Sequence, residues 1–153
     1  GFTSYGSQHR LHEVVPTFTE FERWVRPHVT KFLRALEANT TGRKLAMTDC
    51  WINIMGRNCV HGLHLHPHAV VSGTYYVHAV RGAPGIKFED PRLDRYMAAL
   101  PRKANCRAAN RWWVTFPATV GSLVLFESWL RHEVPANTSK TDRVSISFNY
   151  GWF

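Results

Sequence analysis

Cysteine is scarce in this chain and forms no motif. The 153 residues include three, Cys50, Cys59 and Cys106, with no CxxC among them. An odd, unpatterned count argues against a disulfide framework and fits a reducing compartment, so a cytoplasmic location is expected. No apolar run reaches about 18 residues, so no membrane-spanning helix is expected. The first residues, Gly1-Phe2-Thr3-Ser4, lack the basic start and apolar core of a secretory signal. The glycosylation patterns at Asn39 and Asn137 therefore carry no weight. Internal repeats, linkers and low-complexity tracts are also missing. Acid is the minority charge, with 11 Asp and Glu against 19 Lys and Arg and a net charge of +8. No RNP-like, helix-turn-helix or zinc-finger pattern accompanies that excess, which disfavours a nucleic-acid partner.

The remaining composition is globular, at 44% hydrophobic and 13% aromatic. That is enough for one core, and a single domain over 1–153 is expected. Much of the positive excess lies at 92–111, where Arg92, Arg95, Arg102, Lys103, Arg107 and Arg111 face a single acid, Asp94. The plain reading is a solvated loop. The functional reading is attraction of an acidic small-molecule or carrier-bound substrate. Composition leaves a homodimer open.

Thr17-Phe18-Thr19-Glu20, after Pro16, reads as a capping box. Phe21, Trp24, Val25, Phe32, Leu33 and Leu36 follow at helical spacing and predict a core-facing helix, kinked or split at Pro27. From about residue 45 the pattern changes to short β-branched and aromatic runs separated by turn signals. Strands are predicted near 46–55, 60–66, 70–80, 85–89, 112–116, 122–127, 131–134 and 144–150, with a helical turn at 96–100. One helical segment followed by about eight strands predicts a mainly β fold, a small β-sandwich or jelly roll.

His64-Leu65-His66-Pro67-His68 is the most informative stretch. Residues i and i+2 of a strand share a face, so His64 and His66 can bind one metal ion. His132 follows another apolar strand and can complete three nitrogens, a set that Fe(II), Zn and Cu all accept. His68 follows the strand-breaking Pro67, and alternation puts His61 on the opposite face unless a bulge intervenes; both are read as surface or neighbouring residues. The usual non-haem iron triad is two His and one carboxylate. Here either His66 is the third ligand, or a carboxylate arrives from Asp90, Glu127 or Glu133. Eleven residues beyond His132, Arg143-Val144-Ser145 can place a guanidinium and a hydroxyl on one face, a clamp for a carboxylate. Tyr75 or Tyr76, Ser72 and Asn53 are candidates to add hydrogen bonds to the same ligand.

Together these segments resemble the 2-oxoglutarate- and Fe(II)-dependent oxygenases, in a short bacterial and phage-associated subfamily. The likeness is carried by Trp51-Ile52-Asn53-Ile54, His64-Leu65-His66-Pro67, Ser72-Gly73-Thr74-Tyr75-Tyr76-Val77 and Phe88-Glu89-Asp90-Pro91-Arg92. It continues in Ser128-Trp129-Leu130-Arg131-His132 and Arg143-Val144-Ser145-Ile146-Ser147-Phe148-Asn149. The resemblance implies a cupin-like double-stranded β-helix that binds Fe(II) and 2-oxoglutarate. It implies His64 and His132 as ligands, with His66 where a carboxylate is usual. It also implies Arg143 as the 2-oxoglutarate anchor, with Ser145 assisting. The implied reaction is oxidative decarboxylation of 2-oxoglutarate to succinate and CO2, coupled to hydroxylation of a substrate C–H bond. Two other readings stay open. One is a three-His dioxygenase that does not use 2-oxoglutarate, as in cupin-type thiol dioxygenases. The other is a non-enzymatic jelly roll whose histidines are structural or hold Zn.

Overall fold

The computed structural model describes residues 1–153. Its strands are β1 (Phe2–Thr3), β2 (Leu45–Met55), β3 (His61–His64), β4 (Val71–His78) and β5 (Ile86–Glu89), then β6 (Trp113–Phe116), β7 (Leu123–Glu127), β8 (His132–Val134) and β9 (Arg143–Trp152). The helices are α1 (Leu11–Val14), α2 (Pro16–Ala35) and α3 (Arg95–Ala98). One sheet has the order β1-β2-β9-β4-β7 and the other β3-β8-β5-β6. Every strand pair is antiparallel. The two sheets form the expected jelly roll, a double-stranded β-helix with an N-terminal helical segment.

The central strand β9 shows why this sequence folds so. Ile146, Phe148 and Tyr150 alternate with Arg143, Ser145, Ser147 and Asn149. The apolar set joins the core on the α2 side. Arg143, Ser145 and Ser147 line a cavity between the sheets. One face of the five-stranded sheet therefore builds stability and the other builds a site.

Against the apolar face, α2 presents Val25, Val29 and Leu33, spaced by four and buried with Met47, Cys50, Val71, Phe148 and Tyr150. Each such side chain contributes roughly 1.5–3 kcal/mol on burial. Glu22 is buried at the edge of this contact. Its carboxylate accepts two bonds from the Arg26 guanidinium at 2.9 Å and one from Tyr150 Oη at 3.1 Å. Those partners satisfy a charge that would otherwise be costly to bury.

The helix departs from the sequence reading at its start and in what it buries. It begins at Pro16, whose missing N–H costs nothing at the first helical position. Thr19 Oγ1 donates to the His12 carbonyl at 2.8 Å, and no side chain caps the start. The helix runs through Pro27 as one element. Trp24 and Leu36, expected in the core, are 46% and 42% exposed.

Candidate metal centre and carboxylate pocket

The register of β3 against β8 sets the histidine cluster. His61 pairs with Val134 and His64 with His132, so three steps on β3 span two on β8. This bulge shifts the phase of the strand. His61 and His64 consequently line the same cavity, where simple alternation predicted opposite faces. β3 ends at His64. His66 lies beyond it, tied back by its N–H to the Ser128 carbonyl at 3.0 Å.

His64, His66 and His132 each offer a ligand nitrogen within 4.8 Å of the others. The Nε2 atoms of His64 and His66 are 3.2 Å apart. Two imidazoles bound side by side to one ion at roughly 2.1 Å would have nitrogens about 3 Å apart. The remaining ring nitrogen of each is occupied. His64 Nδ1–H donates to the Gly62 carbonyl at 2.7 Å, and His132 Nδ1–H to the Leu130 carbonyl at 2.9 Å. His66 Nδ1 meets Asn149 Oδ1 at 2.6 Å and Ser72 Oγ at 2.8 Å. A proton fixed on Nδ1 leaves the Nε2 lone pair facing inward, as a metal requires.

Burial disfavours the charged form of His132, His66 and the neighbouring His61. Burial pushes the His132 imidazole down to about 3, and the neighbouring His64, His66 and His61 rings push the same way against the Leu130 carbonyl. His66 is also lowered, chiefly by burial. His61 falls to about 4 as its ring is desolvated against the cavity although the residue keeps a solvent-facing side, with His64 and then Arg143 pushing the same way.

No Asp or Glu belongs to the ligand group. Asp90 is engaged by the guanidinium groups of Arg92 and Arg95. Glu133 accepts from Lys87 Nζ at 2.7 Å. Glu127, on β7, also stays outside the group. The carboxylate alternatives raised by the sequence therefore do not reach the histidines.

The same cavity extends to Arg143, Ser145, Ser147, Thr74 and Asn53. Arg143 is 3% exposed and its guanidinium carbon lies 4.9 Å from the Tyr76 ring centre. Its Nη1 donates to Ser145 Oγ at 3.3 Å, while Nε is buried without a partner. No carboxylate pairs with it, and burial lowers its pKa. Asn53 Nδ2 donates to Ser147 Oγ at 3.1 Å. Tyr75 is a correction: its ring packs against Phe21 and Trp24 of α2. Alternation along β4 turns Tyr76 inward instead, opposite Ser145 in register.

A groove of about 570 Å³ opens on the histidines, lined in part by Tyr5, Asp49, Trp51 and Leu65. The basic stretch leaves β5 just after Glu89, and its Arg92 and Arg111 line a separate pocket with Phe32, Leu123 and Leu130. Asp90 holds its base through Arg92 and Arg95, and Arg95 also lies 4.9 Å from the Trp112 ring centre. Arg102, Lys103, Arg107 and Arg111 form no ion pair. No helix of the structure is long and apolar enough to cross a membrane.

Residues 49–149 match a family described as "Putative 2OG-Fe(II) oxygenase". The chain belongs to this family, whose cofactor is Fe(II) and whose co-substrate is 2-oxoglutarate. No curated protein matches it. Solved structures share the fold at low identity. HygX from Streptomyces hygroscopicus, with nickel and 2-oxoglutarate bound, is 13% identical over 94% of this chain and 70% of its own, with a TM-score of 0.60. A Pseudomonas putida prolyl-4-hydroxylase is 15% identical over 90% of this chain and 68% of its own, with a TM-score of 0.59. An oxidoreductase of the 2OG-Fe(II) oxygenase family from Burkholderia pseudomallei is 17% identical over 72% of this chain, with a TM-score of 0.55; the match spans 47% of that protein's length.

Proposed function

We propose that the chain is a 2-oxoglutarate- and Fe(II)-dependent dioxygenase that hydroxylates a small-molecule substrate. The observation that carries this reading is Arg143, a buried guanidinium without a counter-ion, sharing one cavity with three inward-facing imidazoles. A buried cation of that kind calls for an anion. A keto acid can meet Arg143 with its far carboxylate while its keto and near carboxylate groups approach the histidines.

His64, His66 and His132 would hold the iron. Bound there, iron supplies activation of O2, coupling 2-oxoglutarate + O2 + R–H to succinate + CO2 + R–OH. Three neutral ligands leave the ion one unit more positive than two His and a carboxylate would, which favours the dianionic co-substrate. Arg143 and Ser145 orient that co-substrate. Phe126 and Phe88 flank His132, with ring centroids at 4.7 and 5.7 Å, and keep water from that side. The substrate would enter by the groove beside Trp51.

Anaerobic addition of Fe(II) and 2-oxoglutarate should produce a metal-to-ligand charge-transfer band that Arg143→Ala weakens. Wild-type protein giving neither band nor succinate would overturn the reading. A three-His dioxygenase independent of 2-oxoglutarate is the second reading, favoured by the absence of a carboxylate from the ligand group. Arg143 would then hold a substrate carboxylate. Oxygen uptake that needs a thiol and ignores 2-oxoglutarate would select it.

A further inference from the structure

We propose that Asp49 and Asn149 are positioning residues that hold His66 in its metal-binding tautomer, doing from two hydrogen bonds away what a carboxylate ligand would do directly. The proposal rests on the reading of His66 as a ligand. Asp49 and Asn149 are cross-strand partners in the β2–β9 register. Asn149 Nδ2 donates to Asp49 Oδ2 at 3.1 Å, and Thr48 Oγ1 donates to the same oxygen at 2.8 Å. Asn149 Oδ1 then faces His66 Nδ1 at 2.6 Å.

The polarity of this chain follows from its far end. An ionised carboxylate only accepts hydrogen bonds, so it must face the amide nitrogen of Asn149. The amide oxygen is thereby turned to His66, and an amide oxygen also only accepts. His66 must therefore carry its proton on Nδ1, leaving Nε2 bare toward His64 and His132. Ser72 cannot impose this, although its hydroxyl lies 2.8 Å from the same nitrogen, because a hydroxyl can donate or accept. Asn149 alone cannot either, since its amide could turn over. Of the groups in the chain, only Asp49 has a fixed sense. Its negative charge also polarises the amide and, through it, raises the electron density that His66 offers.

The test uses Asp49→Asn, His66→Ala and the exchange Asp49→Asn with Asn149→Asp. The exchange puts a carboxylate directly on His66 Nδ1–H and an amide behind it, so it preserves the polarity. Two readouts apply: Zn(II) affinity by chelator competition, and the 15N NMR tautomer of His66 in the metal-free protein. Asp49→Asn should weaken Zn(II) by about 10- to 100-fold and give His66 mixed tautomer signals, and the exchange should restore both. Unchanged affinity and tautomer in Asp49→Asn, with affinity lost in His66→Ala, would overturn the relay and leave the ligand reading standing. Unchanged affinity in His66→Ala would overturn the ligand reading and the relay with it.

Discussion

The Arg143 guanidinium lies 4.9 Å from the centre of the Tyr76 ring, and that ring takes the place a counter-ion would occupy. An aromatic face offsets part of the cost of burying the cation but offers no oxygen for its N–H groups. The unpartnered Nε is the donor that the carboxylate of the proposed co-substrate would meet.

Replacing Arg143 should tell on the co-substrate and spare the metal. Losing a charge-assisted contact of roughly 1.5–3 kcal/mol corresponds to a rise of about 10- to 100-fold in the 2-oxoglutarate dissociation constant. Arg143→Lys keeps the charge but not the planar fork, and should fall between wild type and Arg143→Ala. Titrating 2-oxoglutarate into the anaerobic Fe(II) protein checks both. Metal content should stay at the wild-type level in each.

His61 should behave differently from His64, although the two rings are 4.9 Å apart. It lines the cavity with Arg143 but stands outside the ligand group. His64→Ala should lose bound metal. His61→Ala should retain it and weaken 2-oxoglutarate by about 3- to 10-fold, the scale of one neutral hydrogen bond. Elemental analysis alongside the co-substrate titration separates the two. Loss of metal in His61→Ala would place His61 among the ligands.

What the sequence shows and hides here has a physical basis. The inward polar and outward apolar series of β9 is a clean period of two, so Arg143 and Ser145 were legible before any strand was paired. His64 and His66 were legible because two-residue spacing survives the end of β3. His61 was hidden by a bulge between it and His64, which shifts the phase and for which Gly62 was the one signal in the sequence. Tyr75 and Tyr76 are adjacent aromatics, and only the alternation of Ser72, Thr74 and Tyr76 with Val71, Gly73 and Tyr75 tells them apart, once the polar face of β4 is known to meet Ser145 and Ser147. The link from Asp49 to His66 runs through a residue 100 positions away. It exists only because β2 and β9 are neighbours.

Acid should destabilise the metal-free protein. In the unfolded chain a histidine takes its proton near pH 6.5, whereas folded His132 resists until about 3 and folded His61 until about 4. Below 6.5 the unfolded state thus binds more protons, and stability falls as pH falls. The loss begins near pH 6.5 and is complete only below the folded values. A fully shifted group costs about 1.4 kcal/mol per pH unit in that window. Buried His132 should carry most of this, and solvent-facing His61 less. Thermal melts of apo protein from pH 7.5 to 4.5 test the slope, and His132→Gln should flatten it.

Gly73 marks where the apolar face and the site share a strand. It sits on β4 between β7 and β9, opposite Leu125 and Phe148. A Cβ there would come within 2.7 Å of Phe148 Cε2 and 2.9 Å of Leu125 Cδ2. Phe148 is fully buried in the α2-side core and cannot swing away without moving its neighbours. Gly73→Ala should therefore cost about 1–3 kcal/mol, the range for overpacking a filled core. For a chain of this length each kcal/mol lowers Tm by roughly 2–4 °C. Gly6, where a Cβ meets nothing within 4 Å, is the control, and Gly6→Ala should stay within about 0.5 kcal/mol of wild type. A Gly73→Ala protein as stable as that control would show that Phe148 yields at no cost, and that the strand is not packed to its limit against the helix.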